Sequence, residues 1–152
     1  MFRFHKTLDI ITLFHKPTLA SSTKALSVLQ RASTAIKEGT ATSPSGSLLR
    51  NSDFELNVTE EPPTTDQLKL IMDYMTSSPL ASGGIGVGKP GDLVSGATDR
   101  SDAVKRLKEN GDSFIRPVVV DWNNGKAVLA TSLRLYTKGT GTLPECYIIG
   151  VM

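Results

Sequence analysis

Hydrophobic and polar positions follow two different periods along the first 130 residues. Four short runs are apolar or alternate with period two, which is the pattern of strands. These predicted strands are "DIITLF" (9–14), "FELNVTE" (54–60), "PVVVDW" (117–122) and "KAVLA" (126–130). Three other segments predict helices, because apolar residues recur there at helical spacing, and they cover 21–36, 65–75 and 101–110. The predicted element order is β-α-β-α-α-β-β.

Local signals define where several of these elements begin and end. Thr64 stands three residues before Gln67, which is the spacing of a capping box at a helix start. Ser101 is expected to cap the next helix, and Gly111 to end it. "NNG" (123–125) predicts a type I′ turn, because Asn-Gly tolerates the positive φ angles of that turn. The last two strands are therefore expected to form an antiparallel hairpin.

The element order predicts the fold class. Two strands separated by a helix indicate a parallel βαβ unit, to which the hairpin adds an antiparallel pair. We therefore predict an α/β protein with a mixed sheet, in a thioredoxin-like arrangement over residues 1–131. Two Ser/Gly/Pro-rich loops, 38–53 and 76–100, are expected to be flexible. Residues 132–152 form an atypical C-terminal tail, because their glycines and proline argue against a continuous helix.

Composition and charge narrow the class of protein. The chain has 152 residues, of which 39% are hydrophobic and 21% charged, as in a soluble globular domain. No apolar run approaches the roughly 18 residues needed to span a bilayer. The net charge of +2 is too small to indicate binding to nucleic acid or to a membrane surface. The first fifty residues carry seven basic and two acidic side chains, a bias of mitochondrial presequences, although the strand at 9–14 argues against a cleaved leader.

The first candidate site is "LFHKPTLASSTKAL" (13–26), where a strand passes into a hydroxyl-rich helix start. The first N–H groups of a helix are unpaired and attract anions. Ser21 and Ser22 either help to bind an oxyanion there or simply cap the helix. His15 is the only base near these hydroxyls, and one His beside one Ser is a weak signal for a nucleophilic site. We predict no metal site and no cofactor.

The second candidate is "GGIGVGKP" (83–90), in which Gly83 and Gly88-Lys89 match the spacing G-x-x-x-x-G-K. A phosphate-binding loop requires Ser or Thr next, with a strand before the loop and a helix after it. Pro90 occupies that next position instead. The segment is therefore predicted to be a linker, and nucleotide hydrolysis is not predicted.

The third candidate is the dipeptide Arg116-Pro117 at the start of the "PVVVDW" strand. An X-Pro bond accepts the cis form at low cost, and an arginine can bind an anion through two parallel hydrogen bonds. The alternative is an exposed arginine beside a proline that starts a strand.

Cys146 is the only cysteine, which excludes an internal disulfide. It is a weak catalytic candidate, because a reactive thiol needs nearby positive charge and its neighbour is Glu145.

Three segments taken together resemble one known family. They are "LFHKPTLASSTKAL", "VTEEPPTTDQLKLI" and "IRPVVVDWNNGKAV". The chain resembles, over residues 1–131, the fungal mitochondrial redox proteins of the thioredoxin-like superfamily, which are catalogued as a domain of unknown function. More distantly, the same segments are similar to those of the glutaredoxin-coupled arsenate reductases.

The resemblance implies a fold, a location and a site. In the reductase pattern, "H-x-P" falls on 15–17, "PPT" on 62–64 and "RP" on Arg116-Pro117, where the arginine binds the oxyanion and the proline is cis. The catalytic cysteine of that pattern falls on Leu19, which cannot attack arsenic or form a mixed disulfide. For the fungal family, the resemblance implies the reduction of small toxic molecules in mitochondria.

Two functions from different classes follow. The leading hypothesis is a mitochondrial oxidoreductase with a thioredoxin fold, whose small anionic or thiol-containing partner lies between the 15–23 turn and Arg116-Pro117. Its electrons come through Cys146 or an external thiol. The alternative is a catalytically inactive module that binds an anion or a partner, because Leu19 replaces the thiol nucleophile. The irregular tail leaves open a third interpretation, a truncated gene product. No oligomeric state is predicted.

Overall fold

The computed structural model describes residues 8–38, 54–77 and 89–130. The elements in chain order are β1 (Asp9–Phe14), α1 (Ala20–Lys37), β2 (Phe54–Thr59), α2 (Thr65–Ser77), α3 (Pro90–Leu93), α4 (Arg100–Glu109), a 3₁₀ turn (Gly111–Ser113), β3 (Val118–Asp121) and β4 (Lys126–Leu129). All seven predicted elements are present in the predicted order, and α3 is an addition. The tail at 132–152 lies outside the described residues, so the division at residue 131 stays a prediction.

The four strands form one mixed sheet in the order β2-β1-β3-β4. β1 is parallel to β2, and β3 is antiparallel to both β1 and β4. A parallel pair joined through a helix at one side of the sheet, extended by an antiparallel hairpin at the other, is the thioredoxin-like arrangement. The predicted fold class is therefore confirmed.

Helices cover both faces of the sheet, and each face has its own hydrophobic cluster. On one face α1 packs against the sheet through a buried cluster consisting of Ile11, Leu13, Ala25, Val28, Leu29, Ala32, Phe54, Val119 and Ala130. On the other face α2, α3 and α4 share a larger cluster that includes Phe14, Val118 and Val120. Leu13 and Phe14 belong to different clusters because successive side chains of a strand point to opposite faces. These are called the α1 face and the α2/α4 face below.

Helix α2 follows its sequence signals closely. Its four predicted apolar positions are all buried, namely Leu68, Ile71, Met72 and Met75. At its start the Thr64 backbone N–H donates to Gln67 Oε1 at 2.9 Å, and the Gln67 N–H donates to Thr64 Oγ1 at 3.3 Å. The predicted capping box is confirmed.

The predicted cap of α4 is wrong by two residues. Asp99, rather than Ser101, is the N-cap, and its carboxylate accepts from the Asp102 N–H at 2.8 Å. The Ser101 hydroxyl donates to the same carboxylate at 2.7 Å. Both hydrogen bonds stabilise the ionised form of Asp99 and so lower the pKa of its carboxyl below the ordinary value. The bond from the Asp102 N–H has the larger effect. The carboxylate is the better acceptor for a helix start, and the serine supports it.

The predicted hairpin is present, but its type I′ turn is wrong. The register pairs Asp121 with Lys126, which leaves four loop residues, 122–125, instead of two. The Asp121 carboxylate accepts from the backbone N–H of Asn124 at 3.1 Å and from its side-chain amide at 2.8 Å. Gly125 has a φ of +62°. An aspartate that binds the backbone three residues ahead therefore closes the loop.

Part of the predicted 76–100 loop is ordered secondary structure. Helix α3 is followed by Val94, which forms a bridge with Phe114, and the Leu93 carbonyl accepts from the Ile115 N–H at 2.8 Å. Leu93 and Val94 are buried in the α2/α4 cluster, so the loop prediction is wrong for this stretch. Residues 78–88 and the predicted loop at 39–53 lie outside the described residues.

The cap of α4 predicts how stability depends on pH. A carboxyl whose pKa is lowered on folding stabilises the chain above its unfolded pKa, and this contribution is lost as the pH falls through the folded pKa. Asp99→Asn keeps an acceptor at the N-cap but removes the titration. We expect the stability lost in Asp99→Asn, measured by urea unfolding, to be constant above about pH 5 and to shrink below about pH 4. A loss that grew towards acid pH would contradict this assignment.

Candidate functional site

Three loops meet at one edge of the sheet, called the strand-end edge here. The parallel strands β1 and β2 both end there, and the antiparallel β3 begins there. The loops are 15–19 after β1, 60–64 after β2 and 110–117 before β3. The His15 backbone N–H donates to the Thr59 carbonyl at 2.7 Å, which continues the pairing of β1 and β2 past the last strand residues. The carboxyl ends of parallel strands are where α/β proteins commonly bind ligands.

The register brings two of the predicted candidates together at this edge. Phe14 pairs with Val118, so one further step along the antiparallel register sets Pro117 opposite His15. Arg116 directly precedes Pro117, and the peptide bond between them is cis. The backbone of the Arg116-Pro117 pair therefore lies beside the start of the β1–α1 turn.

The loop after β2 is fixed by close packing. A side chain at Gly111 would bring its Cβ within 2.8 Å of Pro62 Cγ. Pro63 is buried beside it, and Thr64 then starts α2. The "PPT" segment therefore holds the end of α4 close to the strand-end edge, and only glycine fits at position 111.

The turn between β1 and α1 exposes the start of the helix. The Lys16 carbonyl accepts from the Leu19 N–H at 3.0 Å, and the Leu19 carbonyl accepts from the Ser22 and Thr23 N–H groups at 3.0 and 3.1 Å. The N–H groups of Ala20 and Ser21 have no partner among the described residues, as is usual for the first turn of a helix. The Leu19 side chain is 37% exposed. An exposed leucine therefore occupies the position at which the resemblance puts a catalytic cysteine.

Ser22 and His15 form a buried pair inside this turn. Ser22 Oγ lies 2.7 Å from His15 Nδ1, and it accepts from the Lys16 backbone N–H at 2.9 Å. Ser22 is 0% exposed and His15 is 7% exposed. Ser21 is half-buried, and its hydroxyl has no hydrogen-bond partner in the described part of the chain. Of the two predicted hydroxyls, Ser22 therefore ties the turn together, and Ser21 is the one left closer to solvent.

Arg116 is buried, so the alternative of an exposed arginine is wrong. It is 5% exposed, and its Nε is the one fully buried side-chain polar atom without a hydrogen-bond partner among the described residues. Its guanidinium carbon lies 5.8 Å from the centre of the Phe114 ring. A cation above an aromatic face is stabilised, but this contact satisfies no N–H group. The site thus contains a buried donor with no acceptor.

The side chains of this site approach the edge from two sides. Phe114 packs edge-on against Phe14 at 5.4 Å on the α2/α4 face, which sets the Arg116 guanidinium on that side. The His15–Ser22 pair lies on the α1 side, because His15 is two residues from Leu13 along the strand direction. Phe114 was missed in the sequence analysis, although a spacing of two residues in extended chain predicts that it shares a side with Arg116.

Other features of the sequence analysis concern metal ions, membranes and the single cysteine. Cys146 lies outside the described residues. Within 8–38, 54–77 and 89–130 there is no group of three or more His, Cys, Asp or Glu side chains arranged to hold a metal ion. None of the helices in those ranges combines the length and hydropathy needed to cross a membrane.

Comparison with known proteins identifies the family. A profile described as "Protein of unknown function (DUF1687)" matches residues 2–130, which is most of the chain. The chain belongs to the DUF1687 family. The match covers all the described elements, from β1 through β4, and therefore both sides of the strand-end edge.

A curated relative with 35% identity over 85 residues is the Schizosaccharomyces pombe (strain 972 / ATCC 24843) protein named "Putative redox protein fmp46, mitochondrial". The alignment covers 56% of this DUF1687 chain and 61% of the relative, so the chain spans less than two thirds of that protein. The name describes the relative as mitochondrial, which confirms the predicted localisation. The resemblance to fungal mitochondrial redox proteins is confirmed as well.

Among solved structures, an arsenate reductase from Vibrio cholerae is similar to this DUF1687 chain. The similarity covers 96% of this chain and 100% of the reductase, with 16% sequence identity and a TM-score of 0.48.

The Ser22 contacts predict a stability difference between two neighbouring serines. Ser22→Ala removes the partner of both His15 Nδ1 and the Lys16 N–H, and leaving buried polar groups unpaired costs about 1–3 kcal/mol. Ser21→Ala is the matched control on the same helix turn, and we expect a change within about 0.5 kcal/mol. Urea unfolding followed by circular dichroism measures both. Equal losses in the two variants would show that the Ser22 contacts contribute no net stability.

Proposed function

We propose that this protein is a mitochondrial redox protein that binds a small anionic substrate at the strand-end edge. The observation that carries the proposal is the buried Arg116 guanidinium, whose Nε lacks a hydrogen-bond partner within 8–38, 54–77 and 89–130. Burying a charged donor without an acceptor is costly, and native proteins retain such a group where it has a function. An anion bound beside Arg116 supplies the missing acceptor and the opposite charge.

The exposed start of α1 supports the same location. The free N–H groups of Ala20 and Ser21 begin an 18-residue helix, and the helix dipole favours negative charge at that end. The register sets Arg116-Pro117 across from the preceding residues of the turn. The proposal therefore draws on N–H donors of a helix start on the α1 side of the edge and on a guanidinium on its α2/α4 side.

The redox part of the proposal rests on the relative's name and on the chemistry of thiols. A two-electron reduction by thiols oxidises two sulfur atoms to one disulfide. The chain contains a single cysteine, Cys146, so at least one of those sulfur atoms comes from an external thiol. The expected cycle therefore uses a low-molecular-weight thiol or a thiol protein as electron donor, with or without Cys146.

A second candidate function is favoured by one specific observation. Leu19 occupies the exposed helix-start position that the resemblance assigns to a cysteine, and a leucine has no nucleophile. A protein with this substitution still has Arg116 and the free helix N–H groups. The alternative is therefore a catalytically inactive module that binds an anion or a partner without a redox step.

Anion binding is tested by titrating inorganic phosphate by calorimetry into the full chain and two variants. A charge-assisted hydrogen bond is worth about 1.5–3 kcal/mol, so we expect Arg116→Ala to weaken binding by roughly tenfold or more. Lys105→Ala removes an exposed positive charge from α4 and is the matched control, with binding unchanged. Equal weakening in both variants would indicate general electrostatic attraction and would contradict a site at Arg116.

A thiol-coupled reductase assay separates the two functions. We expect the wild-type chain to oxidise glutathione in the presence of a small oxyanion such as arsenate, and Cys146→Ala shows whether this thiol takes part. Activity that disappears in the variant supports an enzyme that uses Cys146. Activity that persists supports an external thiol alone. Phosphate binding without any activity supports the inactive module.

A further inference from the structure

We propose that Ser22 is a positioning residue that locks His15 in its Nε2–H tautomer, so that His15 presents a hydrogen-bond donor to the anion at the strand-end edge. The role of the anion rests on the proposed function. The tautomer rests only on the buried hydrogen bonds of Ser22.

The hydrogen bonds around Ser22 determine where its proton goes. A serine hydroxyl has one proton to donate and can accept two hydrogen bonds. Ser22 Oγ accepts one from the Lys16 N–H at 2.9 Å. The acceptor within reach of its proton is His15 Nδ1, at 2.7 Å, and the described residues offer no other. Because Ser22 is 0% exposed, solvent provides no alternative acceptor.

The opposite assignment leaves a buried proton unsatisfied. If His15 Nδ1 carried its own proton and donated to Ser22 Oγ, that oxygen would receive two hydrogen bonds. The Ser22 proton would then have no acceptor in a fully buried position, which is unfavourable. The arrangement with Ser22 as donor and Nδ1 as acceptor gives both the Ser22 hydroxyl and His15 Nδ1 a partner, and it leaves only His15 Nε2 without one among the described residues.

A neutral imidazole that accepts at Nδ1 carries its proton on Nε2. The Nε2 atom has no partner among the described residues and is not one of the fully buried unpaired atoms there. His15 is 7% exposed and lies where β1 ends, so we assign Nε2 to the accessible part of the ring. The strand-end edge then has a third kind of donor, on the same α1 side as the helix N–H groups, whereas Arg116 lies on the α2/α4 side, and each of these donors complements negative charge.

The tautomer is tested by long-range ¹H–¹⁵N spectra of the two histidine rings in the full chain at neutral pH. We expect His15 to show a protonated Nε2 and an unprotonated Nδ1. His5, the other histidine, serves as the internal reference. Ser22→Ala is expected to give a mixture of tautomers, Ser22→Thr to restore the single form, and Ser21→Ala to leave it unchanged. The wild-type spectrum decides the tautomer even if a variant fails to fold.

The donor role is tested by adding inorganic phosphate to the same samples. We expect the His15 Nε2 signal to shift on binding, and His15→Phe to weaken phosphate binding roughly tenfold, as for the loss of one hydrogen bond to a charged group. A protonated Nδ1 in the wild type overturns the inference and leaves anion binding at Arg116 standing. The expected tautomer without any phosphate binding overturns the proposed function and, with it, the donor role of His15.

Discussion

The central position of β1 is the constraint on which the rest of the structure depends. β1 pairs with β2 on one side and β3 on the other, and its side chains alternate between two buried clusters. Because β2 runs parallel to β1 and β3 runs antiparallel, two strand ends and one strand start meet at the same edge. The β1–α1 turn, the segment after β2 and the segment before β3 are brought together by this pairing, although they are far apart in the sequence.

The strand-end edge contains a hydrogen-bonded pair of side chains, Ser22 and His15, and a buried arginine, Arg116, that makes no such bond among the described residues. Ser22 Oγ, His15 Nδ1 and the Lys16 N–H form a small network, which holds the turn because the Lys16 N–H and the Ser22 hydroxyl each have an acceptor. Arg116 is buried against Phe114, and its Nε has no acceptor in the part of the chain that the structure describes. The fixed turn on one side of the edge and the buried cation on the other are the two features on which the proposed anion binding rests. Leu19 at the helix start explains why anion binding is better supported by this geometry than a redox step carried out by the turn itself.

The parts of the fold that were predicted correctly are those governed by local periodicity. Leu68, Ile71, Met72 and Met75 recur at helical spacing, and the capping box at Thr64 needs only residues three apart. The errors arose where a neighbouring side chain competes for the same role. Asp99 replaces Ser101 as a cap because a carboxylate is the stronger acceptor, and Asp121 closes a four-residue loop where Asn-Gly alone indicated a two-residue turn. The short α3 helix escaped prediction because long-range burial of Leu93 and Val94 stabilises it.

The sequence by itself determined seven of the described elements, their order and the fold class, because spacing and local hydrogen bonding are encoded within a few residues of each other. The resemblance of three segments indicated the family. The sequence also identified Arg116, Pro117, His15, Ser21 and Ser22 as the residues of interest. Only the tertiary structure decided what each of them contacts and how deeply it is buried. Burial distinguishes the Ser22 hydroxyl from that of Ser21, and it places Arg116 beside Phe114 with no acceptor for its Nε among the described residues. Those properties depend on which distant segments come together, and strand pairing across more than a hundred residues of chain sets that.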